Sequence, residues 1–413
     1  MFYAFAGTRG EMRMNSRMTR YGTALAIGIL CLQVLVSFGL WPVESRVVGY
    51  ASSSDAAFLG SKFSCRNDYW MQVNANGFGI QSNQYALSIQ AFKNDLYVGT
   101  ASNQPEHMAE IWRSEDRLVW VQVMTDGFGE SNQGIVSMAD FKGHIYTGTQ
   151  NYASGCQIWR SQTGNSGDWD KVVTNGFSDD AGIAIVYLMH EFKGNLYAGT
   201  GGGVGHPMNL WRTRDGVEWL PVTTDGFGNV HNIRLTSMCT FKGYLYIGTS
   251  NEVEGGEVWR SQTGEPGSWE RVASGGLGNP DSIYLYESTV FKGCLYMTIA
   301  VRLGAGEIWR TADGVNWDRV AAGGFEDLDN NEIRHLIVFE GEIYAGTRTY
   351  DGCEMWKSKD GTTWAKSNQK GFGDAHNRYV TSTGVFKGDL YVGTWNQADG
   401  CEIWRLDMPC HRS

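Results

Sequence analysis

From about residue 68 onward the chain alternates short apolar and aromatic runs with glycine-containing turns. Residues 135–141 (IVSMADF) and 144–149 (HIYTGT) are separated only by Lys142-Gly143. β-branched and aromatic enrichment predicts strands, and a glycine at the turn supplies the positive φ that a tight hairpin needs. A variable stretch leads to 156–161 (CQIWRS), and a glycine-containing loop leads to 168–177 (DWDKVVTNGF). The unit predicted is four strands, a to d. No window after the N-terminal region shows a helical apolar stripe.

The unit recurs. FKNDLYVGT from Phe92 is followed by FKGHIYTGT from Phe141, FKGNLYAGT from Phe192, FKGYLYIGT from Phe241, FKGCLYMTI from Phe291, FEGEIYAGT from Phe339 and FKGDLYVGT from Phe386. Each copy is followed by a phrase such as EIWR, which places Trp112, Trp159, Trp211, Trp259, Trp309, Trp356 and Trp404 in one column. Trp70, Trp120, Trp169, Trp219, Trp269, Trp317 and Trp364 form a second. Repeats of this length with four strands predict a β-propeller. The fold class expected is all-β: a seven-bladed β-propeller with four-stranded antiparallel blades. The tryptophan and tyrosine columns are expected between blades.

The first repeat phrase met is a strand d (Asp68–Gly79) and the last is a strand c (Cys401–Leu406), so the N-terminal strand is expected to complete the last blade. Closing the ring in this way removes an exposed sheet edge. Cys65 and Cys410 flank those two strands, and a Cys65–Cys410 disulfide is expected at the seam. Cys156, Cys353 and Cys401 share a repeat position and read as buried single thiols.

The N-terminus differs from everything after it. Arg9, Arg13, Arg17 and Arg20 precede the nearly uncharged run 23–41 (TALAIGILCLQVLVSFGLW). A basic flank before an apolar run is the pattern of a secretory signal, and this run also approaches the length that spans a bilayer. Residues 1–41 are therefore expected to be a signal peptide or an uncleaved membrane anchor, 42–63 a linker and 64–413 the propeller. The protein is expected to be secreted or held at the cell surface, as a monomer. Composition agrees with a folded, exported β protein: the chain of 413 residues holds 54 glycines, 53 aromatic residues and only 7 prolines. The net charge of −10 excludes a nucleic-acid partner, which needs a basic face.

The c–d loops TRDGVEW (213–219), TADGVNW (311–317) and SKDGTTW (358–364) resemble the Asp-box turn of sialidases, sortilin-type receptors and related propellers, one residue shorter between Asp and Trp. The resemblance implies a fold superfamily and a hairpin-tying role for the Asp and Ser/Thr side chains. It implies no catalysis.

The a–b turns hardly vary, whereas the b–c loops do, and a rigid scaffold presenting varied loops is a common recognition surface. The mouth of the channel on the face of the b–c loops and d–a connections is the expected site. There Arg302 and Arg348 lie in b–c loops, and Arg234, Arg334 and Arg378 lie at or near the starts of strands a. With Tyr284, Tyr286, Tyr379 and Trp395 they would form an aromatic, anion-binding rim, since guanidinium forks suit carboxylate or sulfate. The competing expectation pairs those arginines with Glu287, Glu332, Asp281 or Asp329. Glu287 and His335, at one strand-a position in adjacent blades, are the candidate catalytic acid and base, with mutual hydrogen bonding as the alternative.

No cofactor is expected. Asp327-Leu-Asp329-Asn-Asn331-Glu332 begins like a calcium loop but lacks the glycine at position six and the glutamate at twelve. No cysteine–histidine cluster suggests zinc. Sialidases combine an arginine cluster with Tyr, Glu and Asp residues, but no Arg-Ile-Pro opening occurs here. Two functions follow as expectations. One is a non-catalytic propeller binding an extracellular glycan or protein ligand at the loop face. The alternative is a secreted glycoside hydrolase or sialidase-like enzyme using acidic and Arg residues at the channel mouth.

Overall fold

A computed structural model describes residues 47–49, 68–177, 180–202 and 206–407. The apolar run 23–41, Cys65 and Cys410 lie outside the described residues, and with them the expected targeting segment and disulfide. The described chain is all-β, its short strands joined in one large antiparallel network.

The four-strand unit recurs as hydrogen-bonded sets. In the first, Tyr85–Phe92 pairs with Asp95–Ala101, then Ile111–Ser114, then Val119–Met124. The same order runs from Gly134–Phe141 to Asp170–Val173 and from Ile185–Phe192 to Leu220–Thr223. It continues from Arg234–Phe241 to Trp269–Ala273, from Ser282–Phe291 to Asp318–Ala321 and from Glu332–Phe339 to Ala365–Lys366. After Asn377–Phe386, Asp389–Asn396 and Ile403–Asp407, the fourth place is taken by Tyr69–Gln72, with Trp70 opposite Leu406. First strands of consecutive sets touch one another, and Asn377–Phe386 touches Tyr85–Phe92. Val47–Gly49, within the stretch expected as linker, adds a short strand to Val119–Met124.

The fourth strands are shorter than the sequence reading. In the second set the strand stops at Val173, and the following Asn-Gly-Phe turns, with Gly176 at φ +68° and Phe177 at φ +71°. A left-handed phenylalanine costs about 1–2 kcal/mol. What it gains is packing: Phe177 stacks on Trp211 (4.7 Å, 11°) and meets Trp219 edge-on (5.8 Å, 81°). Phe78, Phe128, Phe227, Phe325 and Phe372 do the same with the tryptophans of their own columns. These tryptophans are packing residues.

Six of the seven indoles of the EIWR column are fixed by an acceptor two residues earlier, and the seventh, Trp211, is enclosed without one among the described residues. Trp356 donates to Glu354 (2.9 Å), which also accepts from Asn330 (2.9 Å) and from Lys366. Glu110, Glu257 and Glu402 take equivalent bonds from Trp112, Trp259 and Trp404, and Gln157 from Trp159. Conjugate bases buried this deeply need several donors, and they have them.

The c–d loops hold their aspartates as hairpin ties. Asp215 accepts amide hydrogens from Val217 (2.8 Å) and Glu218 (2.9 Å) and the Thr213 hydroxyl (3.1 Å). Asp313 and Asp360 repeat the pattern. These bonds favour the carboxylate and hold Asp215 below its usual range.

Candidate functional site

Every first strand carries a register shift near its start, for example between Ala86 and Ser88 and between Ile333 and His335. Such a bulge bends the strand and re-aims its side chains. At the residue after it, Ser88, Ser137 and Ser382 donate to carbonyls of the next first strand: Ile135 (2.9 Å), Val186 (3.0 Å) and Ala86 (2.6 Å).

Before the bulge lies an aromatic and basic belt. Antiparallel pairing puts the start of each first strand beside the end of a second strand: Glu332 opposite Arg348, Arg348 opposite Tyr379, and Trp395 opposite both Tyr379 and Tyr85. The side chains connect accordingly. Arg234 lies over the Tyr284 ring at 5.5 Å, and Tyr284 stacks on Tyr286 at 5.3 Å. Arg334 covers Tyr286 at 4.6 Å and reaches Tyr379 at 5.7 Å, where Arg348 lies at 4.5 Å. Tyr379 meets Trp395 at 4.4 Å, and Trp395 stacks on Tyr85 at 5.4 Å. Arginine over an aromatic face is attractive, more so where water is displaced.

The charges within the belt do not balance. Arg334 and Arg348 share one carboxylate, Glu332, with Arg334 Nε 3.1 Å from Glu332 Oε2. Among the described residues no carboxylate lies within ion-pair distance of Arg234 or Arg378. The Nε atoms of Arg234, Arg348 and Arg378 and the Trp395 indole nitrogen are enclosed without a protein acceptor. Tyr284 donates to Glu252, and burial followed by that bond pushes its hydroxyl up to about 12. Tyr187, beside Arg234, is likewise pushed up to about 12 by burial. All these phenols remain protonated donors at neutral pH.

The structure thus brings together Arg234, Arg334, Arg348, Tyr284, Tyr379 and Trp395 of the residues singled out in the sequence. Arg302 stands outside: it is exposed, 3.7 Å from Asp281, and donates to the Glu252 carbonyl. Arg348 and Trp395 belong to strands, not to loops. Of the expected acidic partners, Glu332 and Asp281 are used, and Glu287 and Asp329 are not paired with an arginine among the described residues. Tyr85 and Tyr187 are additional members. Repeat phase could have found them, because Tyr85 shares its column with Arg234 and Tyr284, and Tyr187 with Tyr286 and Arg334.

Glu287 and His335 occupy the column that holds serine in four other strands. Glu287 Oε2 lies 3.7 Å from His335 Nδ1, too long for a hydrogen bond, so the mutual bond considered in the sequence reading is not made. Glu287 keeps 37% of its side-chain surface accessible and His335 20%. Both side chains are half-buried on their strands. Desolvation pushes the Glu287 carboxyl up to about 8, and desolvation with the nearby Arg334 charge pushes His335 down to about 3. Near pH 6 the pair is a neutral carboxylic acid facing a neutral imidazole.

The calcium-like segment is an Asx turn. Asp327 accepts the Asp329 amide (3.0 Å), and Lys370 Nζ lies 3.7 Å from its other oxygen. Asp374, His376 and Asp399 bring single donor atoms within 4.8 Å of one another. His376 already contacts both carboxylates, at 3.2 and 3.6 Å. Among the described residues no helix is long and apolar enough to cross a membrane.

No family model matches this sequence, and no curated protein matches it. Among solved structures the chain is similar to the crystal structure of an ancestral GH74 enzyme, with a TM-score of 0.53 and 13% identity over 82% of this chain. It spans about half of that chain, 51%. At this identity the likeness concerns the fold alone, and the fold is of propeller type.

Proposed function

We propose that the sets form a seven-bladed propeller closed by Tyr69–Gln72, exported through residues 1–41, which binds an extracellular ligand, a glycan in the first place, without turnover. The pairing of Tyr69–Gln72 with Ile403–Asp407 and the contact of the last first strand with Tyr85–Phe92 support the ring. The observation that carries the binding reading is the belt from Arg234 to Tyr85. Two guanidinia share one carboxylate, Glu332, and a third, Arg234, contacts none among the described residues, beside a run of phenols at the starts of the first strands, a donor-rich surface suited to acceptors. A glycan array on the full-length chain tests it. Saturable binding that is lost in Arg334→Gln supports the reading, and retention of a protein from the array's control spots without any glycan would shift it to a protein ligand.

A second reading is favoured by one observation. Burial keeps Glu287 protonated to about pH 8, the state a general acid needs for glycosidic oxygen protonation. The fold likeness to a GH74 enzyme is consistent with a glycoside hydrolase. Turnover of a fluorogenic glycoside panel that disappears in Glu287→Gln would establish catalysis. Binding without turnover would leave the first reading.

A further inference from the structure

We propose that the ligand of the belt is an acidic saccharide, held through a uronate carboxylate or a sugar sulfate at the guanidinium edges of Arg234 and Arg348. The inference rests on the glycan-binding reading and narrows it.

Charge is the first argument. Arg334 and Arg348 share Glu332. The acid whose charge acts on Arg234 is Glu252, which accepts from Tyr284 and lies outside ion-pair distance. Arg234 therefore has no carboxylate in direct contact among the described residues, and one of the three positive charges is in excess. That excess sits in a protein of net charge −10, where random surface statistics would supply acids. The arginines are reachable: Arg334 keeps 30% and Arg348 26% of its side-chain surface accessible. A partly buried setting strengthens attraction for an anion relative to open surface.

The second argument is which surfaces remain free. Neutral sugars are commonly held by their apolar faces on open aromatic rings. Here those faces are largely occupied: Tyr284 lies between Tyr286 and Arg234, Trp395 between Tyr85 and Tyr379, and Tyr379 under Arg348. The rings therefore brace the guanidinia, and what the belt offers a ligand is donors. The Nε atoms of Arg234 and Arg348 are enclosed and Arg348 Nη1 donates to Glu332, so the terminal nitrogens of Arg234 and Nη2 of Arg348 are the ones presented. A planar fork of two such nitrogens matches the two oxygens of a carboxylate or sulfate. Arg302, tied to Asp281 and Glu252, is not part of this site.

The test uses the full-length chain and paired probes of one skeleton. Tetragalacturonic acid is compared with its full methyl ester, and a sulfated galactan tetrasaccharide with its desulfated form, by titration calorimetry at low and at physiological salt. The expected result is that one charged member binds at least about tenfold tighter than its neutral partner, that the preference shrinks with salt, and that it falls to about unity in Arg234→Gln/Arg348→Gln. Which pair discriminates identifies carboxylate or sulfate. Arg302→Gln leaves the preference unchanged, and Arg348→Lys, which keeps the charge but cannot hold Glu332 and the ligand through two separate nitrogens of one plane, weakens it. Equal binding of acid and ester, and of sulfated and desulfated forms, would overturn this inference and leave glycan binding standing. Binding of no saccharide would overturn both. A preference that survives in the double variant would remove it from the belt. Should the double variant not fold, the acid–ester comparison on the native chain with Arg348→Lys decides.

Discussion

Glu287 and His335 face each other at 3.7 Å from equivalent positions of neighbouring first strands, and both are neutral near pH 6 because the protein desolvates them. Their contributions to stability run in opposite directions with pH. Glu287 titrates near 4.5 in the unfolded chain and near 8 when folded, so its contribution is full below about 4.5 and is lost as pH rises to about 8. His335 titrates near 6.5 unfolded and near 3 folded, so its contribution is full above about 6.5 and is lost as pH falls to about 3. Between 4.5 and 6.5 the two slopes offset each other. The melting temperature is therefore expected to plateau there relative to Glu287→Gln and His335→Gln variants. Glu287→Gln should remove the decline between pH 6.5 and 8, and His335→Gln the decline below 4.5. Melting curves of the three proteins from pH 3 to 9 check this. An unchanged alkaline decline in Glu287→Gln would show that the carboxyl is ionised in the fold at neutral pH.

Gly216 and Gly194 both have left-handed backbones, φ +83° and +75°, yet their surroundings differ. A Cβ on Gly216 would lie 1.9 Å from the Tyr146 hydroxyl, whereas one on Gly194 would meet nothing within 4 Å. Gly194→Ala should cost about 1–2 kcal/mol, the backbone term alone. Gly216→Ala should cost about 2–4 kcal/mol, since overpacking is added. Chemical denaturation gives both values, and Tyr146→Phe in the Gly216→Ala background should recover part of the difference.

Leu277 stands where the other sets place phenylalanine, in the same left-handed conformation at φ +59° and beside Trp309 and Trp317. Leu277→Phe should restore the stack seen elsewhere and stabilise the protein by about 0.5–1.5 kcal/mol. A lower denaturation midpoint would mean that the fifth set has closed around the smaller side chain.

The repeat phrases made the strand sets and the aromatic columns legible, because identical spacing forces identical packing. The end of each fourth strand was not legible, since Gly-Phe continues an apolar run by pattern. Only the stack of Phe177 on Trp211 makes a left-handed phenylalanine acceptable. In the belt, repeat phase located Arg234, Arg334 and Arg348, but a loop position carries no direction, so Arg302 was placed with them although it turns to Asp281. Glu332 likewise reads as one acid among several, and only the register opposite Arg348 shows that it serves two arginines.

The glutamate of the EIWR phrase offers a test of how buried charge is held. Glu354 is fully buried and accepts from the Trp356 indole, the Asn330 amide and the Lys366 ammonium. The second set runs the same arrangement with an amide: Gln157 accepts from Asn132 (2.8 Å) and Trp159 (2.9 Å), while its own Nε2 is enclosed without a partner. A glutamine in the Glu354 place should thus keep two bonds, lose the ammonium, and strand one NH2 group. That predicts a loss of about 1–3 kcal/mol for Glu354→Gln. Glu354→Leu removes the carboxyl acceptor and strands the Trp356 indole and one Asn330 bond, while Lys366 is exposed and can turn to solvent, which predicts about 2–4 kcal/mol. Urea denaturation orders the two. If leucine were the milder change, the carboxylate's desolvation would outweigh its three bonds, and the column would persist for specificity of packing between the sets instead of for stability.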